Sequence, residues 1–266
     1  MLEVLASKRD GYPLISGHRG AAGSAPENTM AAFAKGRELG ADLLEFDVQL
    51  TSDGEVVICH DATLDRTTNG QGYLGAHTLA ELRELDAGSW FGPEYRNERI
   101  PTLEELVAWA QDIRLNVELK SGPYPFFDLS LATKVVQILE KYNRIDDCLV
   151  ISFDHILIAE VKRLAPGLAC AINFGARLVD PVSVAKSSGA NILNMSREYF
   201  SPELINTAHN AGLGLQCYCE DPQEARYYAR MGVDFMDSDH PHITRAAVRS
   251  LTMEELRKPV SKFGRD

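Results

Sequence analysis

Basic residues are scarce in this chain. Across 266 residues, 27 lysines and arginines face 38 aspartates and glutamates, leaving a net charge of −11. That balance excludes the broad basic footprint of a nucleic-acid binder and electrostatic docking on an anionic membrane. A few local cations can still outweigh the global field, so an anionic small molecule remains admissible as a substrate. Long apolar runs are missing too: none approaches the ~18 residues of a membrane span. The first ten residues lack a basic stretch followed by an apolar one, so no secretory leader is read there. Five cysteines make an odd count without a CxxC pair, and Cys217 and Cys219, two apart on a strand, read as packing residues. These absences predict a soluble, cytoplasmic protein kept reduced.

What is present is alternation. Short apolar runs at 12–18, 42–48, 115–119, 148–151, 168–172, 191–195, 213–217 and 233–236 are each followed by an amphipathic stretch. Helices are predicted at 26–39, 101–112, 129–142, 155–164, 181–187, 202–211, 222–231 and 243–250. Eight strand–helix units are what a (β/α)8 TIM barrel requires. The competing doubly wound sheet wants GxGxxG after its first strand, whereas Gly17, Gly20 and Gly23 are spaced by three, and no GxxxxGK[ST] occurs. The barrel is the better reading, as one domain over 1–250. Residues 51–100 form a small insertion after the second strand, with a Thr51-Ser52-Asp53-Gly54 turn before 55–59 and glycine-punctuated loops beyond. The polar residues 251–266 read as a mobile tail.

A barrel places its chemistry at the C-terminal ends of its strands, and the residues there are wrong for an apolar core. The first strand ends in His18-Arg19-Gly20. Glu45 and Asp47 are two apart on the second, hence on one face about 7 Å apart. The third ends in Glu118-Leu119-Lys120, and Cys59-His60-Asp61 closes the insertion's first hairpin. Three carboxylates converging on one mouth repel unless a cation lies between them, and oxygen ligands favour Mg²⁺ or Ca²⁺. The alternative, an arginine partner for each carboxylate, needs no ion. His18 and His60 have the titration range of an acid–base pair, near pKa ~6.5. His77, His155, His209, His240 and His242 read as surface or capping residues. The planar fork of Arg19 suits two phosphate oxygens and Lys120 adds a point charge, although Lys120 can also simply pair with Glu118 or Glu45.

At these residues the chain resembles a known family. Gly17-His18-Arg19-Gly20, then Ala25-Pro26-Glu27-Asn28-Thr29 and Ala32-Phe33, are similar to the opening signature of the glycerophosphodiester phosphodiesterases. Glu45-Phe46-Asp47-Val48, Thr51-x-Asp53-Gly54 and Val57-x-x-His60-Asp61 resemble its second block in order and spacing. Pro101-Thr102-Leu103-Glu104-Glu105 and Glu118-Leu119-Lys120 resemble the next two, and weaker echoes run through Ser152-Phe153, Ala208-His209-Asn210-Ala211-Gly212 and Gly232-Val233-Asp234. The resemblance spans about 14–245. One segment departs: where the family's seventh strand ends in an aromatic residue and Thr-Val-Asn, Tyr218 is followed by Cys219-Glu220-Asp221.

The resemblance implies a metal-containing barrel that hydrolyses glycerophosphodiesters to an alcohol and glycerol 3-phosphate. It implies Glu45, Asp47 and Glu118 as ligands of one divalent cation and His18 and His60 as the acid–base pair. Arg19 and Lys120 would hold the phosphate, Glu27 and Asn28 would support the first loop, and Tyr218 would line the leaving-group side. A lysophospholipase D or a sugar-phosphate diesterase on the same barrel is the alternative, with Trp90, Phe91, Phe126 and Phe127 as a possible apolar groove. A non-catalytic binding protein is the alternative from another class, and both histidines with all three carboxylates argue against it. Oligomeric state is not legible.

Overall fold

The computed structural model describes residues 11–122 and 128–257. Eight parallel strands close into a barrel: β1 (Leu14–Gly17), β2 (Leu43–Leu50), β4 (Arg114–Leu119), β5 (Cys148–Ser152), β6 (Ala169–Phe174), β7 (Ile192–Met195), β8 (Gly214–Tyr218) and β9 (Phe235–Ser238). Closure is made by β1, which pairs with β9 from Leu14↔Phe235 to Gly17↔Ser238 and with β2 through Ser16↔Leu43 and Gly17↔Leu44. The short strand β3 (Val56–Ile58) runs antiparallel to the end of β2. It takes over the edge that β1 leaves, so β2 overhangs the barrel rim.

Helices alternate with the strands: α1 (Met30–Glu38), α3 (Leu103–Trp109), α4 (Ser130–Lys141), α5 (His155–Leu164), α6 (Pro181–Ser188), α7 (Pro202–Asn210), α8 (Pro222–Met231) and α9 (Pro241–Arg249). Their starts follow local chemistry. The side chains of Thr29, Thr102, Asp154, Asp180, Ser201 and Asp221 each accept a backbone N–H of the first turn. The alternation, the eight units and the (β/α)8 barrel are as the sequence predicts.

Side chains on a strand alternate between its faces, and the two faces differ here. Leu44, Phe46, Val48, Val117 and Val150 point outward into the apolar layer shared with the helices. Inward, Leu14, Leu43, Leu149, Ala169, Ile192 and Phe235 plug the lower barrel. Further up most strands the interior turns polar, with Glu45, Asn116, Asn173, Asn194, Gln216 and Asp237, while β5 stays apolar through Ile151. Asp237 accepts hydrogen bonds from Gln216 (2.7 Å) and Asn116 (3.4 Å), and Asn194 donates to Asn173 (3.0 Å). Buried polar groups need such partners.

Three expectations shift. The first helix opens at Met30 under a Thr29 cap, leaving Pro26-Glu27-Asn28 as loop, with Asn28 at φ 59°. The insertion carries more order than its glycines suggest. It has a core of its own (Val57, Leu64, Leu74, Leu82, Ile100) and a helix, α2 (Leu79–Arg83), opened by a capping box between Thr78 and Glu81. The tail contains α10 (Met253–Arg257), started by another such box between Thr252 and Glu255. Residues 258–266, also read as tail, lie outside the described residues.

Candidate active site

β2 and β4 are paired in register, Asp47 opposite Glu118, so three carboxylates meet at one corner of the mouth. One oxygen from each of Glu45, Asp47 and Glu118 lies within 4.8 Å of the other two. Lys120 Nζ bridges two of them, 2.8 Å from Glu118 and 3.1 Å from Asp47. Glu45 receives the backbone N–H of Arg19 on Oε2 at 2.8 Å, while its Oε1 is buried with no hydrogen-bond partner. Burial and then the Asp47 charge push Glu45 well above the ordinary carboxylate range, and the same causes raise Glu118. Asp47 goes the other way: burial opposes its charge, but Lys120, His60 and Arg19 together keep it low. A cluster with an orphaned carboxylate oxygen and an all-oxygen donor set fits a hard divalent cation.

The two histidines flank this corner from different elements. His18 leaves β1, its backbone N–H held by Ser238 O at 2.9 Å. Its Nδ1 lies 2.6 Å from Asp239 Oδ1 and its Nε2 3.9 Å from Glu45 Oε2. Burial works against a charge on His18, yet Glu45 and Asp239 outweigh it and raise the imidazole to about 9. His60 follows β3, with Nδ1 2.6 Å from Asp61 Oδ1. Its loop is pinned by Gln49, whose amide donates to the carbonyls of Cys59 (2.8 Å) and Asp61 (2.7 Å).

The first loop is tied down by charge. Arg19 donates to Glu27 at 2.7 Å, and its Nε, 3.6 Å from Asp47, is buried without a hydrogen-bond partner. Asn28 donates to Asp47 at 2.9 Å. Gly20 sits at φ 91° against α1, where a Cβ would lie 2.5 Å from a backbone carbon of Ala32. Only glycine fits there.

The ten residues singled out from the sequence, His18, Arg19, Glu27, Asn28, Glu45, Asp47, His60, Glu118, Lys120 and Tyr218, stand together, eight of them lining a cavity of about 380 Å³. Glu27 and Asn28 sit behind it, holding Arg19 and Asp47. The apolar side of that cavity is Ile151, Phe153, Phe174 and Met195. Trp90 and Phe91 are not part of it: they pack with Tyr95 in the insertion. Phe126 and Phe127 lie outside the described residues. Sequence reasoning missed Asp239, Asp237, Gln49 and Arg66. Asp237 and Asp239 repeat the two-residue acidic spacing of Glu45 and Asp47 at a strand end, a signal that was available. Arg66 carried none, because its partners Glu27 and Asp61 flank it only in the fold.

Residues 18–243 match the family described as Glycerophosphoryl diester phosphodiesterase. The chain belongs to that family. Its members are phosphoric diester hydrolases, and the resemblance read from the motifs is correct. A glycerophosphodiester phosphodiesterase of Caldanaerobacter subterraneus is 37% identical over 241 residues, covering 89% of this chain and 98% of the relative. An Oleispira antarctica phosphodiesterase, solved with its product sn-glycerol 3-phosphate, superposes with a TM-score of 0.84 at 32% identity, covering 90% of this chain and 98% of that one. The glycerophosphodiester phosphodiesterase of Agrobacterium tumefaciens C58 gives 0.77 at 29% identity, over 88% and 99%. No described helix is long and apolar enough to cross a membrane.

Proposed function

We propose that this chain hydrolyses glycerophosphodiesters to an alcohol and sn-glycerol 3-phosphate, using His18 and His60 as acid and base. The observation that carries the reading is the placement of two carboxylate-backed imidazoles around one corner that also holds three carboxylates, Lys120 and Arg19. Glu45, Asp47 and Glu118 would hold one Mg²⁺ or Ca²⁺, which supplies positive charge for the phosphoryl oxygens. Arg19 and Lys120, both lining the cavity, hold the phosphate.

The glycerol hydroxyl next to the ester is the nucleophile. His60 takes its proton as the oxygen bonds to phosphorus, and His18, faced by Glu45 and Asp239, protonates the departing alkoxide. Water then opens the cyclic phosphate with the roles reversed: His18 takes the water proton and His60 returns one to the glycerol oxygen. An internal nucleophile gains effective molarities on the order of 10⁵ M or more when well aligned.

The deciding assay uses glycerophosphocholine, glycerophosphoethanolamine and lysophosphatidylcholine, each with EDTA, Mg²⁺ or Ca²⁺, coupled to glycerol 3-phosphate detection. Metal-dependent glycerol 3-phosphate release is expected. Faster choline release from the lysolipid would favour the lysophospholipase D reading, which Phe153, Phe174 and Met195 along the cavity support. Metal binding with no turnover of any of the three would point to an unusual diester and to the Tyr218–Asp221 segment. Equal rates on diesters with and without the neighbouring hydroxyl would sink the internal attack.

A further inference from the structure

His18 does not reach the cavity unaided. Its ring is held by Asp239, a residue beyond the end of β9, through the 2.6 Å contact between Nδ1 and Oδ1. An ionised carboxylate only accepts, so Nδ1 carries the proton and Nε2 is the nitrogen that faces the cavity and Glu45. Asp239 is itself fixed from several directions. Its backbone N–H donates to Glu220 Oε1 at 2.5 Å, its carbonyl accepts from Gly23 at 3.1 Å, and its Oδ2 accepts from the Tyr218 hydroxyl at 3.0 Å. Tyr218 also sets its ring edge against the imidazole, centroids 5.0 Å apart and planes at 68°.

The Tyr218 hydroxyl is therefore engaged behind His18. We propose that Asp239 is a positioning residue for proton delivery by His18 to the leaving alcohol, with Tyr218 aligning Asp239 from β8. The assignment rests on the proposed function, in which His18 is the acid of the first step. It gives the departing Tyr218-Cys219-Glu220-Asp221 segment a use, since both Tyr218 and Glu220 in it grip Asp239. By contrast the His60 partner, Asp61, is shared with Arg66 and belongs to the base side.

The reaction offers a readout that a merely structural residue would not move. Choline needs a proton as it leaves, whereas p-nitrophenolate leaves without one. Single-turnover release of the leaving group from glycerophosphocholine and from glycerophospho-p-nitrophenol isolates the first step. For Asp239→Asn, choline release should fall about 100-fold or more while p-nitrophenol release falls less than about tenfold. Tyr218→Phe, which keeps the ring edge, should show the same asymmetry in weaker form. Retained p-nitrophenol release reports that each variant is folded.

Equal losses on both esters, or no loss on either, would overturn the role of Asp239 alone. A wild-type enzyme releasing neither leaving group would overturn the functional reading and this assignment with it. His18→Ala should reproduce the asymmetry of Asp239→Asn. If it loses both esters equally, His18 is not the acid and the assignment falls.

Discussion

Arg66 and Glu27 form a two-pronged pair, Nη1 and Nη2 each 2.7 Å from a carboxylate oxygen, and through it the insertion grips the first loop. The same guanidinium reaches Asp61 through Nε at 2.6 Å. A single side chain thus links the support of Arg19 to the support of His60, and two bonds of this fork geometry are directional as well as strong.

Replacing Arg66 by alanine should cost on the order of 10- to 100-fold in kcat, the scale of a small misplacement of reacting groups. It should also raise the pH of acid unfolding. Glu27 is pulled below its ordinary range by Arg66 and Arg19 against the opposing effect of burial, and Asp61 first by its Arg66 bond. Depressed carboxylates contribute stability that is complete above about pH 4 and vanishes as pH falls through their folded values. Without Arg66 that loss comes earlier on acidification. Circular dichroism against pH checks it, and an unchanged midpoint would refute the coupling.

Gly17 should tolerate no side chain. A methyl there would lie 1.9 Å from the carbonyl oxygen of Gly20, a backbone atom that cannot swing away. Gly17→Ala is expected to cost at least about 2 kcal/mol, typical of overpacking or more. Gly40→Ala is the contrast: its φ of 79° strains an alanine, but nothing stands within 4 Å of the new methyl. Its cost should stay near 1 kcal/mol. Urea melts of the two variants give the comparison.

Metal should stabilise the fold, and Glu45 should decide by how much. A ligand at about 100 times its Kd adds about 2.7 kcal/mol, visible as a higher Tm in Mg²⁺ or Ca²⁺ than in EDTA. In EDTA, Glu45→Gln should melt close to wild type, because burial and Asp47 already disfavour the Glu45 charge. With metal the variant should lose the upward shift. A variant that gains stability from metal as wild type does would remove Glu45 from the ligand set.

The thiols should be silent in the folded protein. All five cysteines are buried and free, and burial pushes Cys59, Cys170 and Cys219 up to about 12. The thiolate is the reactive form. A disulfide reagent at pH 8 should therefore count none in native protein and five after denaturation. Rapid labelling of one thiol in the native state would contradict this.

Much of this was legible in the chain because the relevant signals are local. Period-two alternation in Glu45-Phe46-Asp47-Val48 announces both a strand and which of its faces carries charge. Thr102-x-x-Glu105 announces a helix start, as does Thr252-x-x-Glu255 within the polar tail. What could not be read is pairing across distance. Nothing near residue 66 says that Glu27 lies opposite, and nothing near residue 18 says that Asp239, just past the last strand, closes on it. Barrel closure brings those residues together, and closure is a property of all eight strands.

The overhang of β2 has a further consequence. Val48, Gln49 and Leu50 pair with β3, Cys59 N–H returns to Asp47 O at 2.9 Å, and Gln49 holds the carbonyls that follow. The spacing between His60 and the carboxylates is thereby metered by one short ladder, with Arg66 in the loops beyond it bracing Asp61. No residue of 61–100 is among those lining the cavity, so the insertion serves the site as a buttress behind it, through Arg66, rather than as one of its walls.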